Sequence, residues 1–283
     1  MSLVTLKYVL KEARKGNYAV GAFNFFGLEN LQGIVLGASR RKSPVIAMAS
    51  TGALKMFGEK VAVATTRALS EEYETDVVLH LDHCTDLDLL YRCVDNGFTS
   101  VMIDASSKSF DENIEITRKA VAYASRYGVS VEAELGHVGG REDEISVDER
   151  KALFTVPEDA RRFVEATGID ALAVAVGTVH GFYKSEPKLD FERIAAIQAL
   201  VDVPLVLHGG TGVSDADFIR AISLGVRKIN VGTELRVHGF FDVMCKGCKD
   251  AVDDDPRKIT AKIKSTCADI VEQKIAVFEN KKN

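Results

Sequence analysis

Eight times along this chain a short run rich in Val, Ile, Leu and Ala gives way to a polar residue or glycine and then to a longer stretch with helical spacing. The runs cover residues 18–24, 44–50, 76–83, 100–106, 130–136, 171–177, 204–210 and 228–234. Near-continuous apolar runs suit parallel strands covered on both faces, and the intervening segments, such as 111–127 and 191–201, are long enough for crossover helices. Eight such units predict an α/β fold, a closed TIM (β/α)8 barrel, with a helical extension from about Lys258. A doubly wound open sheet would carry a glycine fingerprint after its first strand, and Asn24-Phe25-Phe26-Gly27 does not supply one.

Helix punctuation agrees with this register. Ser214 with Asp215 and Pro157 with Glu158 open helices, while Gly97, Gly128, Gly168 and Gly225 close them. A length of 283 residues fits one barrel domain spanning 1–283. Residues 137–156 form the one long interruption, charged and without a clear apolar stripe, and are expected to be an active-site lid loop.

In such a barrel the chemistry sits at the carboxyl ends of the strands. The strands end on Asn24, Ser50, Asp82 with His83, Asp104, Glu134, His208 and Asn230, and His180 falls just past strand six. Three of the six histidines, His83, His180 and His208, thus reach one rim from distant parts of the chain. Three imidazoles with an open fourth position is the pattern of catalytic zinc, although cobalt, iron and manganese accept the same ligands. His80 and Glu132 lie one inward step below the rim and read as a polar layer that props up the site; His137 and His238 receive no role. Glycine concentrates in Gly209-Gly210-Thr211-Gly212 after strand seven and in Asn230-Val231-Gly232-Thr233 at strand eight. Loops seven and eight are where barrels most often hold a phosphate.

The net charge of −5 gives no electrostatic case for nucleic acid or a membrane surface, so an anionic substrate must be held by local groups. No apolar run approaches the ~18 residues of a membrane span. Five scattered cysteines argue against a disulfide framework, and a soluble, cytoplasmic protein is expected. Cys245 and Cys248 form a Cys-x-x-Cys pair without a second pair, read as incidental packing residues.

The strings Leu81-Asp82-His83, Glu132-Ala133-Glu134-Leu135-Gly136 with Gly139-Gly140, Gly177-Thr178-Val179-His180-Gly181, Leu207-His208-Gly209-Gly210-Thr211-Gly212 and Ile229-Asn230-Val231 resemble the class II fructose-/tagatose-bisphosphate aldolases over nearly the full chain. The resemblance implies reversible aldol cleavage of a ketose 1,6-bisphosphate to dihydroxyacetone phosphate and glyceraldehyde 3-phosphate. It places Zn2+ on His83, His180 and His208, and Asp82 as acid/base at the C4 oxygen. It gives Asp104 and Glu134 to a second metal position, which a divalent or monovalent cation could take, and makes Glu142 on the lid the group that handles the C3 proton. The phosphorylated triose would lie against Gly181, Gly209, Gly210, Thr211, Asn230, Val231, Gly232 and Thr233, with Asn24 and Ser50 beside it. Arg257, in Asp255-Pro256-Arg257, would reach the far phosphate in a neighbouring subunit of a homodimer or homotetramer.

An alternative substrate is a phosphorylated deoxy-keto acid of inositol catabolism, and alternatives from other classes are a non-catalytic aldolase partner subunit and a metal-free barrel lyase or isomerase. A Schiff-base aldolase needs a lysine high on a strand, and Lys228 opens its run at the opposite end.

Overall fold

The computed structural model describes residues 3–142, 145–147, 154–181, 187–249 and 255–280; of 139–142 and 145–147 only the backbone is described. The strands are β1 (Val20–Asn24), β2 (Val45–Ser50), β3 (Val77–Cys84), β4 (Ser100–Ile103), β5 (Ser130–Leu135), β6 (Gly139–Glu142), β7 (Ile145–Val147), β8 (Ala171–Val174), β9 (Val179–His180), β10 (Leu205–Leu207) and β11 (Val226–Val231). Eight of them close a parallel barrel in the order β1-β11-β10-β8-β5-β4-β3-β2. Each of the eight sequence runs contributes one strand, and the (β/α)8 expectation holds. Strands β8 and β10 are shorter than their runs, because the chain leaves the barrel wall at Ala175 and His208 to build the rim.

Alternation along each strand sorts residues between two cores. Outward side chains such as Phe23, Ala47, Leu79, Leu81, Val131 and Leu205 pack with the helices in the larger core. Inward ones, Val20, Ala22, Ile46, Met48, Val78, Ala171, Ala173 and Val206, form a second cluster with Leu6, Val9, Leu10 and Ala13. Those four belong to a helix, Leu6–Gly16, that the reading by runs did not single out. Its apolar residues at i, i+3, i+4 and i+7 face the barrel interior, and Thr5 caps it by accepting from the Tyr8 N–H. Against this apolar plug at one end, the polar residues collect at the other.

The interruption at 137–156 contains a hairpin, contrary to a plain loop. Strands β6 and β7 pair antiparallel, Glu142 opposite Ile145, and β6 also pairs in parallel with β9, Gly140 beside His180. The hairpin is therefore hydrogen-bonded to the segment that carries a candidate ligand.

The helical extension begins at Pro256 and runs to Phe278, capped by Asp255. It packs on the helix Leu28–Arg41, where a Cβ on Gly33 would lie 2.7 Å from the Lys264 carbonyl oxygen and one on Gly37 2.6 Å from that of Ala268. Two glycines four apart let the backbones meet. Cys245 and Cys248 lie on the helix Asp242–Lys249, exposed, which corrects their reading as packing residues. Among the described residues no helix is long and apolar enough to cross a membrane.

Candidate active site and metal centre

By alternation, His80 and Asp82 point into the barrel, and a regular His83 would point out toward the helices. His83 instead has φ of +45°, in the left-handed region that non-glycine residues seldom occupy. The register of β3 against β4 shifts at the same place, between Leu81 and Cys84. Two successive residues consequently serve one site: the His83 ring lies 4.7 Å from that of His208 and 5.0 Å from that of His180, centroid to centroid. One ring nitrogen from each of the three falls within 4.8 Å of the others.

The outer nitrogens are held from behind. His83 Nδ1 lies 2.8 Å from Asp104 Oδ2, and His208 Nε2 lies 3.0 Å from Glu132 Oε1. A carboxylate only accepts, so each imidazole carries a proton on that outer nitrogen, and it is the inner nitrogen, His83 Nε2 or His208 Nδ1, that faces the cluster and would give its lone pair to a cation once free of any proton of its own. The inner His208 Nδ1 is buried and makes no hydrogen bond, standing 3.2 Å from Glu134 Oε2 without the alignment of one. Three convergent nitrogens, two with their tautomer set by a carboxylate, fit a catalytic divalent cation.

Electrostatics follow from the same contacts. Burial would raise the Asp104 carboxyl, but hydrogen bonds from His83 and Ser106 hold it well below the usual carboxylate range. Burial likewise works against Glu132 as an anion, and Lys228 beside it more than compensates. Burial would lower His208; the carboxylates of Glu132 and Glu134 outweigh it and push the imidazole up to about 9. His80, driven down by burial and by Lys228, stays neutral.

Asp82 is buried beside the histidines, and Asn24 Nδ2 donates to its Oδ2 at 2.8 Å. One carboxylate is thus fixed next to the cluster without belonging to it, the placement a proton carrier needs. Glu134 Oε1 accepts from the Val138 N–H at 3.2 Å. His83, Asp104 and Glu134 also form a second group of donors within 4.8 Å. Ser106 Oγ donates to Asp104 Oδ1 at 2.7 Å and accepts from His137 Nδ1 at 3.0 Å. His137, given no role from sequence, therefore ties the base of the hairpin to Asp104. His238 sits on the surface beside Asp242.

A cleft opens beside His180, lined by Asn24, Ser50, Gly181, Gly209, Gly210, Thr211, Asn230, Gly232 and Thr233, all expected, and by Phe26 and Arg236, which were not. Arg236 lies in the π-helical turn Leu235–Phe241 that follows β11. Its position four residues after Gly232 is the signal that could have found it, since i and i+4 share a helix face. Both polar atoms of the Asn230 carboxamide are buried without a hydrogen-bond partner. Gly209 has φ of +66°, and a Cβ there would lie 2.4 Å from the Val179 carbonyl oxygen, so only glycine lets this loop press against β9.

Two of the expected residues present no side chain to this cleft. The Val231 side chain is buried in the outer core, leaving only its backbone for the cleft. Arg257 does not line the cleft of its own chain; it is exposed and paired with Asp255. The side chain of Glu142 lies outside the described residues.

The model of the class-II fructose-bisphosphate aldolases matches residues 4–283. The chain belongs to that family. It is an aldolase, a carbon–carbon lyase that performs aldol cleavage. The YdjI aldolase from Escherichia coli K12 is 33% identical, with a TM-score of 0.86 over 98% of this chain and 97% of its own. A protein assigned as a fructose-1,6-bisphosphate aldolase from Coccidioides immitis is 30% identical, with a TM-score of 0.89 over 97% and 96%. The fructose-bisphosphate aldolase of Campylobacter jejuni, 23% identical, shares the fold with a TM-score of 0.83 over 98% and 95%.

Proposed function

We propose that this aldolase cleaves a ketose 1,6-bisphosphate, fructose- or tagatose-1,6-bisphosphate, to dihydroxyacetone phosphate and glyceraldehyde 3-phosphate, with Zn2+ on His83, His180 and His208. The observation that carries the reading is the Asn230 carboxamide, buried with neither atom bonded, on the wall of a cleft that adjoins the three histidines. Buried polar groups are seldom left unpaired, so one lining a cleft marks a place for ligand atoms. Around it, the loops at Gly209–Thr211 and Gly232–Thr233 with the Arg236 guanidinium offer the close backbone and positive charge that suit a phosphate.

When bound, the cation supplies Lewis-acid stabilisation of the charge that C3–C4 cleavage leaves on the three-carbon fragment. Asp82, oriented by Asn24, takes the C4 hydroxyl proton during cleavage and returns it during condensation. Glu142 handles the proton at C3 from the hairpin at 137–156, which acts as a lid. Asp104 and Glu134 serve a second cation in this scheme, and a cytoplasmic homodimer or homotetramer brings Arg257 to the neighbouring chain's far phosphate.

Assay of the purified enzyme with fructose bisphosphate, tagatose bisphosphate and a phosphorylated deoxy-keto acid, before and after chelation, tests this. One bisphosphate should turn over best, chelation should abolish the rate and zinc should restore it. Turnover indifferent to chelators would sink the metal assignment; preference for the keto acid would sink the substrate.

A further inference from the structure

Lys228 is fully buried inside the barrel, and so is its partner Glu132. Its position on β11, two residues before Asn230, turns it inward beneath the site. Its Nζ donates to Glu132 Oε1 at 3.1 Å and stands 2.9 Å from Oε2, an ion-pair contact without the alignment of a hydrogen bond. Taking two charges out of water is costly, and a well-packed apolar pair of similar volume usually serves a core as well. The apolar inward side chains around it, Ile46, Val78, Ala171 and Val206, show that this barrel fills space cheaply elsewhere.

What the pair does is visible one step higher. Glu132 Oε1 also takes His208 Nε2, at 3.0 Å, while Oε2 stands 3.8 Å from His80 Nε2. His80 is itself bound to Ser100 Oγ through Nδ1, at 2.8 Å. Two histidines therefore flank one carboxylate, and Lys228, hydrogen-bonded to the same Oε1 that meets His208, holds it on the His208 side. On the other ligand, Asp104 plays the part of Glu132, and the Ser106 hydroxyl and N–H fix it through Oδ1 while Oδ2 faces His83.

We propose that Lys228 is a positioning residue for the metal centre: by clamping Glu132 it aims Oε1 at the Nε2–H of His208 and so presents Nδ1 to the cation. The inference rests on the reading of His83, His180 and His208 as metal ligands. It gives a role to a lysine that neither touches the cleft nor sits where a Schiff base could form.

The test uses Lys228→Met and the double variant Lys228→Met/Glu132→Gln, each stripped and reloaded. Zinc affinity is read by competition with a chromophoric chelator, and ligand geometry by the visible spectrum of the cobalt-loaded protein. Both variants should bind zinc about 10- to 100-fold more weakly than wild type, the cost usual for loss of an outer partner of a ligand, with shifted cobalt bands. The double variant holds no uncompensated buried charge, so it decides the matter if the single one fails to fold. A folded variant with wild-type zinc affinity and an unchanged cobalt spectrum overturns the inference, and a lowered Tm alone does not rescue it. A wild-type protein that takes up neither metal overturns the metal reading instead.

Discussion

At the scale of residues, Asp82 and the histidines beside it divide the work, and substitutions should separate them. Asp82→Asn should lower kcat by ~10²–10⁴-fold, the range of general acid–base catalysis, while zinc content stays at the wild-type level. A variant that loses its zinc together with its activity would place Asp82 among the ligands instead. His208 makes the metal-free protein pH-dependent. Its folded pKa of about 9 lies above the ordinary 6.5, so its contribution to the stability of the metal-free protein is full below 6.5 and disappears as pH rises through 9. Zinc must displace that proton, so apparent zinc affinity should climb by about tenfold per pH unit up to about 9. Chelator-corrected titrations at several pH values measure the slope, and a flat profile would refute a protonated His208. The identity of these residues was legible because they stand at strand ends. The way His83 reaches the site was not, since it depends on one left-handed φ at a histidine that simple alternation sends outward. The pairing of Lys228 was not legible for a related reason: its place near the start of the strand spoke against a Schiff base, and only the folded barrel sets Glu132 opposite it.

Elements were legible to the extent that a period of two or 3.6 marks them. The eight barrel strands and the cap residues Ser214 and Gly168 lie within a few positions of where apolar runs and capping chemistry put them. The hairpin at β6 and β7 carries no apolar face to announce it, because what fixes it is backbone pairing with Val179 and His180. The final helix was expected, but its seat was not. Nothing in the sequence singles out Gly33 and Gly37, whose use shows only once Lys264, Cys267 and Ala268 are packed against them. Gly37→Ala tests that seat. Helix propensity alone would favour alanine by about 1 kcal/mol. The new Cβ would instead meet the Ala268 carbonyl oxygen at 2.6 Å and Val271 Cβ at 2.8 Å, contacts that a shift of one flexible side chain cannot relieve. Net destabilisation of about 1–3 kcal/mol is expected, by the usual cost of overpacking. Urea unfolding measures it, and a gain in stability would mean that the two helices are not this close in solution.

For the whole molecule, the fold separates an apolar end from a reactive one: the Leu6–Gly16 helix fills the base of the barrel, and the rim is left free for the cleft and hairpin. Among the described residues lining the cleft Arg236 is the one cationic side chain besides the histidine, so in this scheme the second phosphate of a bisphosphate needs another. Arg236 lies within the cleft, whereas Arg257 is exposed at the head of the long final helix, held by the Asp255 that caps that helix. If Arg257 completes a neighbouring chain's site, its loss and the loss of Asp82 must complement each other across subunits. Arg257→Ala should raise KM for the bisphosphate with a smaller effect on kcat, because it removes binding made equally in the ground and transition states. In a dimer assembled at random from equal amounts of Arg257→Ala and Asp82→Asn chains, half of the dimers are mixed. Each mixed dimer contains one site with both residues intact, so about a quarter of all sites should regain wild-type kcat/KM. Activity read at substrate well below KM, after mixing and reassembly, counts those sites. A rate no higher than the average of the two parent variants would confine each site to one chain and leave Arg236 as the sole guanidinium available to the substrate among the cleft's described residues.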